Sequence, residues 1–434
     1  STSDAPGINT KKLCVLAPDR IDVAQTSGET AEFIVKDGPH QAADKVEEIL
    51  RNRYKTTGSF VQIIPWIGDD MKPISDIYTK LKLQNTDHQE KQLKSYGNIF
   101  LEKNEGQSVQ RIILEGKPGV GKSTLINKMA YDWANRDKLK EYKLVFILRM
   151  FALEDSPEFI EAVFNQLNVK DDAVSQADLM SYISTNPSKV LILFDGFDEF
   201  KTTNVSEMTS MSKSSGYVFQ ILNRKILEGS CVVVSVTTRP SHFHKLVNKS
   251  LIEKPFVHVE VLGFNEEDIE LYIHRFFSKE HDLQAEGLIQ KFKSSDVLFD
   301  LATSPMLLLL MCILWREQST IPDTMYRLYK EALGYIFKRK QQQQDEASQV
   351  VITIGKTALD DLLSPHQFFS FEEGDFEDQA LRSASEAGIL TSQRVIKRLH
   401  AHNSVSFIHR TFQEYSAAIF FQSLLETNEE QFNM

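Results

Sequence analysis

Eight consecutive residues, Gly116-Lys117-Pro118-Gly119-Val120-Gly121-Lys122-Ser123, fit the pattern G-x-x-x-x-G-K-[ST]. Glycines at these places let the backbone curl so that successive N–H groups converge on phosphate oxygens, and a helix beginning behind them adds its partial positive charge. The chemistry these residue types offer is polyphosphate binding. Gly116, Pro118, Gly119, Val120 and Gly121 form the cradle, Lys122 reaches the β- and γ-phosphates, the Ser123 hydroxyl takes a place on Mg²⁺, and Thr124 adds a contact to an inner phosphate. The bland alternative is a glycine turn joining a strand to a helix by chance.

Two further clusters carry chemistry of the same kind. The apolar run Val190 to Phe194 delivers Asp195-Gly196-Phe197-Asp198-Glu199 at its end. Asp195 would hold Mg²⁺ through its water shell, while Asp198 or Glu199 would orient or deprotonate an attacking water. An ordinary helix cap with acidic first-turn residues would satisfy the same letters. Cys231 to Val236 is followed by Thr237-Thr238-Arg239-Pro240, where the planar guanidinium of Arg239 is shaped to fork onto a γ-phosphate. A solvated loop arginine is the alternative there.

These groups act together only if they meet at one edge of a sheet. Short β-rich runs, Ile112 to Glu115, Leu144 to Leu148, Val190 to Phe194, Cys231 to Val236 and Phe256 to Val261, alternate with helical patterns, the sign of a parallel sheet with crossover helices. The fold class is therefore α/β, with a parallel five-stranded core. The loop lies between the first run and a helix spanning Thr124 to Arg136, and the acidic cluster lies at a carboxyl strand end, where open α/β sheets place ligands. Beyond Gly263 the pattern turns helical: Glu266 to Phe277, Ser304 to Arg316, Tyr326 to Phe337, Ile352 to Leu363, Glu377 to Gly388 and Phe407 to Leu424, with one strand-like stretch near Val405 to Ile408. Ala42 to Tyr54 reads as the tail of a helical module. Residues 56–107, with a single apolar run interrupted by Pro65, read as a connector.

The chain has 434 residues, room for two to four domains, and a formal charge of −11 from 49 Lys+Arg against 60 Asp+Glu. That balance argues against wrapping nucleic acid or an anionic membrane. Three scattered cysteines, Cys14, Cys231 and Cys312, suit neither a disulfide framework nor a zinc cluster. With no signal-like segment at the start and no apolar run of membrane-spanning length, the expected place is the cytoplasm. Both ends read as cut from something longer.

Taken in order, the motifs resemble those of the NACHT-domain ATPases of the STAND class, as found in NOD-like receptors. The resemblance rests on the phosphate loop followed by Tyr131-Asp132-Trp133-Ala134, on Asp195-Gly196-Phe197-Asp198-Glu199, on Thr237-Thr238-Arg239-Pro240, on Gly263-Phe264 with Tyr272 and Phe276, on Ser304-Pro305-Met306-Leu307, and on Phe407-Ile408-His409-Arg410-Thr411-Phe412-Gln413-Glu414-Tyr415. It implies an uncertain helical N-terminal fragment over 1–55, a connector over 56–107, a NACHT nucleotide-binding domain over 108–262, a helical domain over 263–337, a winged-helix domain over 338–425, and the start of a C-terminal helical region over 426–434. It also implies that Pro305 packs on the adenine and that His409 reaches the β-phosphate of ADP. Ser304 stands where many members carry Gly or Asn.

The function so implied is an ATP/ADP switch: ADP holds a closed monomer, ATP with Mg²⁺ releases an oligomerising face of the NACHT domain, and hydrolysis is slow. An upstream ligand or sensor partner and a downstream adaptor in innate immune or cell-death signalling are expected. The rival is a transcription regulator of the same ATPase class docking its winged helix on DNA, kept open by the basic stretch Arg394, Lys397, Arg398, His400, His402 and Arg410. Less favoured are a small-molecule phosphotransferase and a scaffold that binds nucleotide without turning it over.

Overall fold

A computed structural model describes residues 38–56, 60–62, 71–86, 91–104, 107–108, 110–117, 119–153, 158–167, 169, 174–197, 216–237, 246–247, 251–277, 281–318, 320–339, 344–364, 370–397, 400–407 and 409–427. Helix α1 (Gly38–Thr56) is followed by strands β1 (Phe60–Gln62) and β2 (Met71–Pro73), the short helix α2 (Ile74–Ile77), strands β3 (Lys82–Asn85) and β4 (Lys91–Leu93), and the small hairpin β5 (Lys103–Asn104) and β6 (Gln107–Ser108). Then come β7 (Arg111–Gly116), α3 (Lys122–Ala134), β8 (Leu144–Arg149), α4 (Phe159–Leu167), α5 (Gln176–Thr185), β9 (Val190–Asp195), α6 (Gly216–Leu222), β10 (Cys231–Thr237) and β11 (Val257–Gly263).

Seven of these strands form one sheet in the order β4-β3-β11-β7-β10-β9-β8. The five from β7 to β11 are mutually parallel, as their apolar sequences require. Every residue of β9 is buried, the state of a strand covered on both faces, whereas β11 alternates buried and half-buried residues. The expected five-strand core is extended by two antiparallel strands drawn from the stretch read as a connector. β3 and β4 are short and polar, but their apolar residues Leu83 and Leu93 face each other across the pair and both are buried. Buried Asn85 donates to Glu102 at 2.8 Å, and Lys91 closes on the same carboxylate at 2.9 Å.

α1, read from the sequence as the tail of a helical module, packs against this same unit. Ala42, Ala43, Val46, Leu50 and Tyr54 form its buried stripe, which packs on α3, α5 and β8. β8 is an edge strand with outward-facing backbone groups that must be satisfied. The Tyr54 hydroxyl donates to Val145 O at 3.0 Å and accepts from Ile147 N at 3.2 Å. One residue pair further along, Gln166 accepts from Arg149 N at 2.8 Å and donates to Arg149 O at 3.1 Å. Two side chains thus stand where a neighbouring strand would pair.

After β11 the chain is mainly helical: α7 (Glu266–Phe276), α8 (Asp282–Lys293), α9 (Asp296–Ala302), α10 (Pro305–Gln318), α11 (Met325–Arg339) and α12 (Gln344–Leu363). α8 and α9 were not foreseen. Then follow β12 (Ser370–Glu372), α13 (Asp378–Glu386), β13 (Leu390–Lys397), β14 (His400–Phe407) and α14 (Arg410–Thr427). The three strands form an antiparallel sheet in the order β12-β14-β13, where the sequence pattern indicated one short strand. Among the described residues no single helix is long and apolar enough to cross a membrane.

Candidate functional site

The carboxyl ends of the parallel strands come level in the register: Gly116 lies beside Thr237 on one side and Val261 on the other, and Arg149 lies opposite Asp195. β7 is the first strand of the parallel set, yet β8, next in chain order, lies three places away past β10 and β9. The crevice outside β7 and β10 is therefore the switch point at which such sheets take ligands. The loop after β7 fills it. Gly119 and Gly121 stand at φ +78° and +98°, a region side chains avoid, and Gly121 caps α3. Lys122 folds back over the loop, donating from Nζ to Gly116 O at 2.7 Å and Lys117 O at 3.1 Å. Val120 is turned inward and buried, and Thr124 is half-buried on the first turn of α3.

Asp195 ends β9 at 3% exposure. Its Oδ1 accepts from Ser123 Oγ at 3.1 Å and from Ser235 Oγ at 2.7 Å, and its Oδ2 pairs with the Arg149 guanidinium. Ser235 also accepts from Gly196 N at 2.8 Å, which fixes the turn that leaves the strand. A hydroxyl and a buried carboxylate are the oxygen donors that Mg²⁺ takes alongside phosphate and water, so these residues fit that ion. Among the described residues no group of three or more His, Cys, Asp or Glu is placed to hold a metal by itself.

The helical half of the chain reaches the same loop. Ser304 Oγ and Met306 N both donate to Gly119 O, at 3.4 Å and 3.3 Å. Pro305 opens α10, and its Cγ lies 3.8 Å from where a side chain on Gly121 would begin, with Leu81 of the stretch before β3 at 3.3 Å from the same point. A Cβ on Gly119 would stand 3.2 Å from Met306, 3.4 Å from Ser304 and 3.6 Å from His409 Cε1. His409 precedes α14, and its Nδ1 accepts from Thr411 N at 3.2 Å and meets Thr411 Oγ1 at 2.8 Å. An Nδ1 that accepts a backbone N–H carries no proton, which assigns the hydrogen to Nε2 and makes the neutral ring a donor. Desolvation and the nearby Lys122 ammonium depress the pKa of His409 to about 4, so the ring is neutral near pH 7.

Of the residues singled out from the sequence, Gly116, Gly119, Val120, Gly121, Lys122, Ser123, Thr124, Asp195, Pro305 and His409 come together at this crevice. Pro118, Asp198, Glu199, Thr238, Arg239, Pro240 and Ile408 lie outside the described residues, as do Arg398 and the side chains of Arg394, Lys397, His400 and His402. Arg410 does not belong to a basic surface: it is 5% exposed and faces Glu414 at 3.7 Å. The motif Tyr131-Asp132-Trp133-Ala134 is a packing element. Asp132 accepts from Lys128 at 2.5 Å and from the Tyr96 hydroxyl, while Trp133 donates to Tyr142 O at 2.9 Å and stacks under Arg51 at 4.1 Å. Beside it a cleft of about 360 Å³ runs between Tyr78, Leu81, Tyr96, Lys128 and Lys138.

Four groups at the site escaped the sequence reading: Arg149, Ser235, Ser304 as a donor to the loop, and Leu81. Two had a signal. Arg149 closes the apolar run Leu144-Val145-Phe146-Ile147-Leu148 at the carboxyl end, and Ser235 is a hydroxyl set between valines in β10.

Residues 110–280 match the family model of the NACHT domain. The chain is similar to human NACHT, LRR and PYD domains-containing protein 3, 24% identical over 343 residues, covering 75% of this chain and 31% of that protein. Its similarity to Bos taurus NLR family CARD domain-containing protein 4 is 28% over 329 residues, 73% of this chain and 29% of the relative. The chain thus spans about a third of the length of these relatives. A Pyrococcus horikoshii Signal Transduction ATPase with Numerous Domains (STAND) protein with a tetratricopeptide repeat sensor aligns over 71% of this chain and 40% of its own, at 16% identity and a TM-score of 0.35.

Proposed function

We propose that this chain, a NACHT P-loop NTPase of the NOD-like receptor type, works as a nucleotide-dependent switch, closed with ADP and competent to self-assemble with ATP. The observation that carries this reading is the convergence on Gly119 of Ser304, Met306 and His409, residues from two parts of the chain remote from the loop. A polyphosphate that reshapes that loop would bear on all of them through Gly119, so its identity can be felt by the helices that follow.

In this reading residues 263–337 are a helical domain and residues 338–425 a winged-helix domain. The order α12, β12, α13, β13, β14, α14, with a three-stranded antiparallel sheet, supports the second assignment. Pro305 lies against the base, and neutral His409 donates from Nε2 to the β-phosphate of ADP. Lys122 leaves its carbonyl partners for the phosphates, exchanging ion–dipole contacts for ion–ion ones. Mg²⁺, when bound, neutralises charge on the phosphates. Ser123 and Asp195 are the residues that would hold it. Asp198 or Glu199 orients water and Arg239 meets the γ-phosphate, with slow turnover, since a rapid one would erase the state. The open form assembles through the NACHT domain in intracellular signalling, with a sensor partner upstream and an adaptor downstream.

The test is to purify the chain, denature it and identify the nucleotide released, then to measure ADP and ATP binding to Lys122→Ala. The expected result is ADP in the wild type and loss of binding in the variant. A wild type that carries no nucleotide and ignores added ATP, or a variant with full affinity, refutes the reading.

A further inference from the structure

Arg149 is the one cation on the Asp195 carboxylate among the described residues, and no role in the switch just outlined uses it. Its backbone is pinned at the edge of the sheet by both ends of the Gln166 amide. Its guanidinium pairs with Asp195 Oδ2 and donates from Nη2 to Asn127 Oδ1 at 3.2 Å on α3. The side chain is 37% exposed while that of Asp195 is 4% exposed. The head group is thus the movable half of the pair and the carboxylate the fixed half. Ser123 and Ser235 sit on Oδ1 and the guanidinium holds Oδ2, so an ion drawn to Ser123 and this carboxylate would share it with Arg149.

A guanidinium and a divalent cation on one buried carboxylate repel each other strongly, because the floor of the crevice screens charge far less than water does. We propose that Arg149 is the resident counter-cation of Asp195 and that it and a divalent cation hold this carboxylate in alternation, so that Arg149 sets the cation concentration at which the loop takes up a nucleotide with its metal. The inference rests on the reading of this loop as a nucleotide site. The role is one of positioning: Arg149 keeps the Asp195 carboxylate aimed in the metal-free chain, and its release to solvent or phosphate is coupled to metal entry. Nothing covalent is required.

The experiment uses the full chain and a fluorescent ADP analogue, with binding followed as Mg²⁺ is raised from an EDTA baseline, and Mn²⁺ affinity of the same complexes read by electron paramagnetic resonance. Arg149→Met should lower the Mg²⁺ half-saturation at least tenfold and tighten Mn²⁺ binding in parallel, while Arg149→Lys, which keeps the charge, stays near the wild type. Asn127→Ala removes the second hold on the guanidinium without stranding Asp195, and should move the half-saturation about threefold in the same direction. A purely structural role for Arg149 would weaken metal binding or leave it alone, never strengthen it. If the wild type binds the analogue but neither Arg149→Met nor Asn127→Ala shifts the half-saturation downward, this inference fails and the nucleotide reading stands. If the wild type takes up no analogue with or without Mg²⁺, both fail.

Discussion

Acidification should open the contact between His409 and the phosphate loop, and by an amount the structure sets. The imidazole is depressed to about 4 in the folded chain from an ordinary value of 6.5, first by desolvation and then by Lys122. Protonation would also place a second hydrogen on Nδ1, facing the Thr411 N–H that now donates to it. Because the packed ring is held below its released value, the packed form has its full advantage above about pH 6.5 and loses it as the pH falls toward 4. Between pH 7 and pH 5 a released imidazole gains most of a proton, whereas the packed one gains about a tenth. The difference integrates to about 2 kcal/mol, or about 20-fold in the opening equilibrium.

Hydrogen exchange reads this directly. Amides over 409–417, corrected for the intrinsic pH dependence of exchange, should show about 20-fold more opening at pH 5 than at pH 7 in the wild type. His409→Gln, which cannot take up the proton, should show a flat response. Equal pH slopes in the two proteins would refute the assignment of a packed, neutral His409. A wild type without a slope would refute it as well.

Other outcomes follow from the same contacts. His409→Leu should favour assembly, and a size-exclusion profile that stays monomeric with ATP would count against the proposed bridge. Gly119→Ala puts a Cβ 3.2 Å from Met306 in a backbone held at φ +78°, a strain of about 1–2 kcal/mol; ADP affinity measured by calorimetry should fall about tenfold. Tyr54→Phe leaves Val145 O and Ile147 N of the edge strand without their hydroxyl partner, at about 1–3 kcal/mol. Its melting temperature should drop by several degrees, and an unchanged melt would mean that water replaces the hydroxyl.

What the sequence made legible was whatever rests on local rules. The loop, its strand and its helix follow from glycine spacing and one apolar run, and β9 was visible because a strand buried on both faces must be apolar throughout. β3 and β4 were not visible. Each carries one buried leucine among polar residues, and only the pairing of Leu83 with Leu93 gives them an apolar face. α1 was legible as a helix but its packing partners were not, since periodicity fixes which face is buried and says nothing of what covers it. α8 was legible in Ala285, Leu288, Ile289 and Phe292, a helical spacing that the sequence reading passed over. Arg149 was marked by its place at a strand end, but its partner, like those of Arg111, was not legible. A charged residue in an apolar strand is assigned by its partner, here Asp195 for one and the carbonyls of Ile221 and Ser230 for the other, and partners across a sheet leave no pattern along the chain.

The strength of the ties at the loop bears on how such a switch is driven. Ser304 and Met306 share a single acceptor, Gly119 O, at 3.4 Å and 3.3 Å, the long end of hydrogen-bond geometry. Neutral contacts of this kind contribute about 0.5–1.5 kcal/mol each, and a charged one from His409 to a phosphate about 1.5–3 kcal/mol. Carrying a population from 1:99 to 99:1 takes about 5.5 kcal/mol of differential binding, and exchanging one nucleotide for another alters only part of these contacts. The shortfall has to be met away from the loop. Around α14, Tyr329 packs on Phe412 and Tyr415 with ring centroids 5.1 Å and 5.6 Å apart, and Gln413 is bound to buried Asp361 at 2.7 Å. These contacts tie α14 to its neighbours without involving the nucleotide. In the proposed switch, nucleotide exchange would therefore license opening without forcing it, and a second input acting on this helical half would be required on energetic grounds.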